Sequence, residues 1–129
     1  MTTHLEKYKY QVLAFAQLIP DDDCETPTEK CANEILFLLE RFPSYVEIDH
    51  VGWSDDGEIS IFVNQKIAGK KIYLDIGCFG DDKYSYYATI YVEADKTRYI
   101  DFCGDDFLVS DFPDEKLCEF FTKYLETKQ

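Results

Sequence analysis

Two segments near the start of the chain carry apolar residues at the spacing of an α-helix. The first runs from Thr3 to about Leu18; Thr3 and Glu6 have the form of a capping box, and Pro20 ends the helix. Its apolar face consists of Leu5, Tyr8, Val12 and Phe15. We therefore predict a first helix that buries this face.

The second helix follows an acidic loop and has a clearer start. Thr26 is the predicted N-cap, Pro27 suits the first helical position, and Glu29 completes a second capping box. Pro43 ends the helix, since a proline disfavours helical geometry in the residue before it. The predicted buried face consists of Cys31, Ile35, Leu38, Leu39 and Phe42.

From Tyr45 onward the apolar period shortens to two residues, which is typical of β-strands. The alternating apolar positions are Val46 and Ile48; Ile59, Ile61 and Val63; Ile72, Leu74, Ile76 and Cys78; and Tyr86, Ala88, Ile90 and Val92. Turns are predicted at Asp55-Asp56-Gly57, Gly69, Gly80-Asp81-Asp82 and Gly104-Asp105-Asp106, the last after a short strand from Arg98 to Cys103. Short turns between strands predict an antiparallel meander of four to five strands.

A last helix is predicted from about Pro113 to Glu126, with Asp111 as its cap and Leu117, Phe120, Phe121 and Tyr124 as its buried face. No repeat or linker divides the sequence, so residues 1–129 should form a single α+β domain. Its order is two helices, the meander and a C-terminal helix, with the helices on one face of the sheet.

Strand alternation predicts what the opposite face of the sheet presents. If Leu74 points toward the helices, its neighbours Tyr73 and Asp75 point away from them. The predicted outer-face residues that would bind a partner are Phe62, Tyr73, Asp75, Tyr87 and Tyr91, with at least two of the aromatic rings partly exposed. Cross-strand aromatic pairs also stabilise ordinary sheets, but tyrosine is enriched at interface hot spots.

The net charge narrows the choice of partner. The chain has 13 Lys and Arg against 26 Asp and Glu, a net charge of −13 and a pI near 4.4. A field of this sign repels phosphates, so neither direct nucleic-acid binding nor an anionic membrane surface is expected. It attracts basic proteins, although acidity also serves solubility alone.

Cysteine usage bears on the compartment. The five cysteines are odd in number and irregularly spaced, unlike a secreted disulfide scaffold. The first residues lack an apolar signal-peptide core, and no apolar run approaches the length of a membrane span. We therefore expect a cytoplasmic protein with reduced cysteines.

Motifs that carry chemistry are missing from the sequence. There is no C-x-x-C pair, nucleophile elbow or phosphate-binding loop, and His4 and His50 lie far apart. The acidic pairs in the loops do not alternate as calcium ligands do. We expect no cofactor, no metal site and no catalytic residue. An enzyme is the third hypothesis; it would use His50 or Cys78 in a cleft beside a carboxylate.

Several segments resemble a family of small uncharacterised bacterial proteins found in mobile regions. The segments that carry the resemblance are Gln11-Val12-Leu13, Ile19-Pro20-Asp21, Thr26-Pro27, Ile35 to Pro43, Asp56-Gly57-Glu58-Ile59 and Tyr84-Ser85-Tyr86-Tyr87-Ala88. Family members pair a helical N-terminal half with a strand-rich half that opens at a D-G-x-I motif. Their Trp-Asp-Gly segment is replaced here by Asp22-Asp23-Cys24. The resemblance implies no activity.

In size and acidity the chain is also similar to immunity proteins and phage-encoded inhibitors. Our leading hypothesis is a non-enzymatic inhibitor of the immunity-protein or antitoxin type, whose partner is a basic protein such as a nuclease toxin. The alternative is an anti-restriction or anti-CRISPR inhibitor that mimics nucleic acid. Against mimicry, the turns that hold Asp55-Asp56, Asp81-Asp82 and Asp105-Asp106 are expected to form two patches at opposite ends of the sheet.

Overall fold

The computed structural model describes residues 3–44, 46–67, 70–92 and 99–119. The described residues include, in chain order, two N-terminal helices, five strands and a short 3-10 helix. These are α1 (His4–Phe15), α2 (Glu29–Arg41), β1 (His50–Trp53), β2 (Ile59–Ile67), β3 (Lys70–Cys78), β4 (Lys83–Val92), β5 (Tyr99–Leu108) and the 3-10 helix Val109–Asp111. Residues 115–119 are also helical. The predicted α+β class is confirmed.

Helix α1 begins as predicted and ends early. The Thr3 side-chain oxygen accepts a hydrogen bond from the backbone N–H of Glu6 at 3.1 Å, which confirms the N-cap. The helix ends at Phe15 and not near Leu18. Its last turn is tight, because the N–H of Ala16 donates to the carbonyl three residues before it at 3.2 Å.

Helix α2 begins two residues later than predicted. The cap is Thr28, whose side-chain oxygen accepts from the N–H of Cys31 at 3.0 Å, so the predicted cap at Thr26 is wrong. The preceding residues are extended instead, since the N–H of Glu25 donates to the Asp55 carbonyl at 2.8 Å. The predicted apolar face is buried in full: Cys31, Ile35, Leu38, Leu39 and Phe42.

The sheet is an antiparallel meander in which the strands lie in the order β1-β2-β3-β4-β5. Strand β1 begins at His50 and not near Tyr45. Val46 and Ile48 are nevertheless buried. The Ile48 carbonyl accepts from the Tyr8 hydroxyl at 2.9 Å, so this segment is hydrogen-bonded to α1.

Strand β5 is longer than predicted, because Gly104-Asp105-Asp106 does not form a turn. The register shifts opposite Tyr84 and Tyr86, which marks a β-bulge, and Asp106 takes a positive φ of 61°. Gly104 allows this irregularity because the Phe107 ring lies where a Cβ would be. The acidic pair therefore stays within the strand and does not leave the sheet.

The C-terminal helix is capped by a different aspartate from the one predicted. Asp111 belongs to the 3-10 helix, and Asp114 Oδ1 accepts from the N–H groups of Lys116 and Leu117 at 2.8 and 3.3 Å. Leu117 is fully buried, as predicted. The other predicted members of the buried face, Phe120, Phe121 and Tyr124, lie outside the described residues.

Both N-terminal helices contribute to the core that covers the inner face of the sheet. The Cys31 thiol of α2 donates to the Cys78 carbonyl of β3 at 3.1 Å. The buried sheet residues of this core include Ile59, Ile61, Val63, Ile72, Leu74, Ile76, Tyr84, Tyr86, Ala88 and Ile90. Within the described ranges, no helix has the length and apolar composition that a bilayer crossing requires.

A buried carboxylate joins α2 to the turn between β3 and β4. Glu34 is buried, and its two oxygens accept from the backbone N–H groups of Gly80 at 3.0 Å and Asp82 at 2.7 Å. Burial raises the pKa of Glu34, and these two hydrogen bonds oppose the rise. Lys30 pairs with Asp82 at 3.1 Å on the surface. We call the contact of Glu34 with Gly80 and Asp82 the Glu34 clamp.

Gly80, in the turn between β3 and β4, has no room for a side chain. Its φ is +90°, and an added Cβ would lie 2.8 Å from the Thr28 side-chain oxygen that caps α2. We predict that Gly80→Ala lowers the free energy of unfolding by about 1–3 kcal/mol.

Urea denaturation measures this loss, with Gly52→Ala as the matched control. A Cβ at Gly52 would meet its neighbours at ordinary contact distances of 3.7 and 3.8 Å. The control should change stability by less than about 1 kcal/mol. Equal losses in the two variants would contradict the account of this turn.

Candidate functional site

A row of side chains crosses the outer face of the sheet, on the side away from the helices. Strand register places His50, Phe62, Asp75, Tyr87 and Cys103 side by side on β1 to β5. On β2, β3 and β4 the neighbours of these residues along the strand point inward and are buried, Ile61 and Leu74 among them. Two of the predicted partner-binding aromatics therefore flank the predicted aspartate.

An aromatic groove runs along β3 and β4 from this row. It has a volume of about 540 Å³ and is lined by Lys71, Tyr73, Tyr87, Thr89 and Tyr91. Tyr73 is 42% exposed and Tyr87 54% exposed, while Tyr91 is partly buried. We call the four outward rings Phe62, Tyr73, Tyr87 and Tyr91 the aromatic face. All four lie where strand alternation predicts them.

His50 covers part of this face in a way that the sequence did not indicate. Its ring stacks on Phe62 with the ring centres 4.4 Å apart and the planes 19° apart. Its Nδ1 lies 2.6 Å from a carboxylate oxygen of Asp49. The stacking explains why Phe62 is partly buried while Tyr73 and Tyr87 are exposed.

Two carboxylates lie close together beside the aromatic groove. The Ser60 hydroxyl donates a hydrogen bond to a Glu58 carboxylate oxygen at 3.1 Å. A side-chain hydrogen bond between Ser60 and Asp75 lowers the pKa of Asp75. Burial has the larger effect, and it raises the pKa of both Glu58 and Asp75. Gly77 makes room for the first of them, since a Cβ there would lie 2.5 Å from Glu58 Oε2.

These carboxylates line a small recess that we call the acidic cleft. Its volume is about 160 Å³, and its lining includes Glu58, Asp75, Gly77, Tyr87 and Asp105. Among the described residues, no lysine or arginine lines it. The sequence predicted Asp75 at this surface and missed Glu58 and Asp105, because only strand register brings the three carboxylates together.

The acidic pairs gather at one end of the sheet, so the expectation of two patches is wrong. In a meander the first and third turns share an end, which places Asp55-Asp56 and Asp81-Asp82 at the same end of the sheet. Asp105-Asp106 lies in the final residues of β5, which run to the same end. The loop that contains Asp21, Asp22, Asp23 and Glu25 joins them through the backbone bond from Glu25 to Asp55.

The two residues named for a possible enzyme have different surroundings. Cys78 is fully buried among core residues, and burial raises the pKa of its thiol. His50 is on the outer face, with the Asp49 carboxylate within hydrogen-bond reach. In the part of the chain that the structure describes, no group of three or more His, Cys, Asp and Glu side chains is arranged to hold a metal ion.

Comparison with protein-family models, with curated proteins and with solved structures found no match for this chain. The resemblance to bacterial mobile-element proteins therefore stays a prediction. The features that bear on function are the aromatic groove, the acidic cleft and the net charge of the chain.

The raised pKa values give the stability a definite dependence on pH. Burial raises the pKa of Glu34, Glu58 and Asp75, so these groups bind protons more readily in the folded chain than in the unfolded chain. Protonation then stabilises the fold at pH values above their ordinary pKa values of 4.5 and 3.8. The pKa of Asp56 is lowered instead, so protonation of Asp56 destabilises the fold. This loss of stability begins only below pH 3.8.

We predict that the free energy of unfolding rises as the pH falls from 7 to about 5. Urea denaturation at successive pH values measures the slope. Asp75→Asn should reduce the slope, and Asp111→Asn, which removes an exposed carboxylate away from the cleft, should reduce it less. A stability that falls over this pH range would contradict the assignment of desolvated carboxylates.

Proposed function

We propose that this protein is a non-enzymatic, acidic protein-binding module that inhibits a basic partner, in the manner of immunity proteins and antitoxins. The observation that carries the proposal is the open aromatic face of the sheet. Tyr73 and Tyr87 remain 42% and 54% exposed although both helices are available to cover a sheet face. Large aromatic side chains exposed together on one surface are typical of a binding site.

Tyrosine supplies affinity at such a surface at low entropic cost. Each ring offers a large rigid area and a hydroxyl that can hydrogen-bond at the rim of an interface. The groove between Tyr73, Tyr87 and Tyr91 gives a protruding side chain of the partner a place to dock. The helices pack on the inner face and leave this groove open.

The charge distribution supports a basic partner. A net charge of −13 attracts a basic protein over several ångströms and speeds association at low salt. The carboxylates at one end of the sheet, together with Asp75 beside the groove, would orient the encounter. A nuclease toxin is the kind of partner that this charge fits. We propose the cytoplasm as the place of the encounter, because the described cysteines are free thiols.

Affinity capture from the native host, followed by mass spectrometry, tests the proposal. We predict that the wild type retains a basic protein in stoichiometric amount. The double variant Tyr73→Ser/Tyr87→Ser should weaken this binding by at least about a hundredfold, because two central anchors are lost. Its stability should fall by only about 1–2 kcal/mol, since both rings are exposed.

Tyr10→Ser is the matched control, because Tyr10 is an 80% exposed tyrosine on α1, away from the sheet face. It should retain the partner at wild-type affinity. Two results would count against the proposal. One is recovery of no stoichiometric partner across several growth conditions, and the other is equal retention by the double variant and the wild type.

Nucleic-acid mimicry is the second candidate, and the gathering of acidic pairs at one end of the sheet favours it. Carboxylates spread along that end would take the place of phosphates for a restriction or CRISPR protein. The same capture experiment separates the two functions. A mimic would lose its partner when Asp55, Asp56, Asp105 and Asp106 are all replaced by Asn, and would keep it in the tyrosine double variant.

A further inference from the structure

Among the residues that the structure describes, no lysine or arginine lines the acidic cleft beside Tyr87. Among the described residues the ion pairs are Lys30–Asp82, Arg41–Glu40 and His50–Asp49. None of them includes Glu58 or Asp75. The His50 ring lowers the pKa of Asp75, but burial, which raises it, has the larger effect. Carboxylates that have lost hydration without forming a salt bridge are stabilised by a cation that binds them directly.

The Tyr87 ring lies next to the Asp75 carboxylate and can contact a cation that binds there. Asp75 and Tyr87 are direct cross-strand partners on the outer face, so their Cβ atoms lie about 4.5–5.5 Å apart. The Tyr87 ring is more than half exposed. One planar cation can therefore lie on the ring and bond the carboxylate at the same time.

We propose that the partner presents an arginine side chain that stacks on Tyr87 and hydrogen-bonds to Asp75 in the acidic cleft. This inference rests on the proposed function and names the chemistry of its contact. The cleft volume of about 160 Å³ suits a single side-chain head group. An arginine also stacks on an aromatic ring within this chain, where the Arg41 guanidinium lies 3.4 Å from the Phe37 ring centre.

Arginine fits this surface better than lysine. A guanidinium is planar, offers paired N–H donors to a carboxylate and stacks on aromatic rings, whereas an ammonium is a strongly hydrated point charge. The two ends of the groove carry opposite charges, which determines where a cation binds. Lys71 lies opposite Tyr91 at the far end, so the attraction for a cation is at the Asp75 end.

The test is a titration of the full chain with N-acetyl-arginine amide, followed through the backbone amide signals in NMR spectra. The lysine and citrulline amides serve as chemical controls, since citrulline keeps the planar shape without the charge. We expect saturable shifts at Asp75, Tyr87 and their strand neighbours with the arginine amide. The lysine amide should bind several-fold more weakly and the citrulline amide about tenfold more weakly.

Two variants locate the site on the protein. Asp75→Asn and Tyr87→Ser should each weaken binding of the arginine amide by about tenfold. Asp111→Asn makes the same change in net charge at an exposed position outside the cleft and should leave binding unchanged. If the lysine amide binds equally well, or if Asp75→Asn and Asp111→Asn behave alike, attraction by net charge explains the binding and the inference is wrong.

The inference and the proposed function fail in different ways. A captured partner that is lost from Tyr73→Ser/Tyr87→Ser but retained at full affinity by Asp75→Asn would overturn the arginine contact and leave the inhibitor proposal standing. Specific binding of the arginine amide at Asp75, with no stoichiometric partner in the host, would support the contact chemistry and count against the inhibitor proposal.

Discussion

The strict alternation of side chains along paired strands determines the character of both faces of this sheet. Once Ile61, Leu74 and Ala88 are buried against the helices, Phe62 and Tyr87 have to point the other way. A slip of one residue in register would move aromatic rings into the core and aliphatic side chains into water. The aromatic face is thus a direct consequence of how the core is built.

The helices remain on the inner face because specific contacts hold them there. The Glu34 clamp bonds α2 to the turn between β3 and β4, and the Cys31 thiol bonds the same helix to the Cys78 carbonyl. A buried carboxylate that lost these N–H donors would be left unsatisfied, which typically costs a few kcal/mol. This attachment leaves the outer face open, with Asp75 and Tyr87 adjacent at its centre.

The sequence predicted the parts of the fold that depend on local pattern. Periodicity gave both N-terminal helices and the meander, and alternation gave the outward position of Tyr73 and Tyr87. The sequence prediction was wrong where two residues could each cap the same helix, and where a sequence typical of a turn forms a β-bulge instead. Thr28 caps α2 instead of Thr26, and Gly104-Asp105-Asp106 forms a bulge. The acidic cleft could not be predicted, because it depends on register and on Gly77 making room for Glu58.

We propose that the outer face of the sheet is the surface that contacts the partner. Fluorine NMR of the chain labelled with fluorotyrosine, recorded with and without the captured partner, tests it most directly. The account predicts that the Tyr73 and Tyr87 signals shift and become protected from a soluble paramagnetic agent, while the signal of Tyr10 on α1 does not change. A complex in which Tyr73 and Tyr87 stay as accessible as in the free protein would contradict the account.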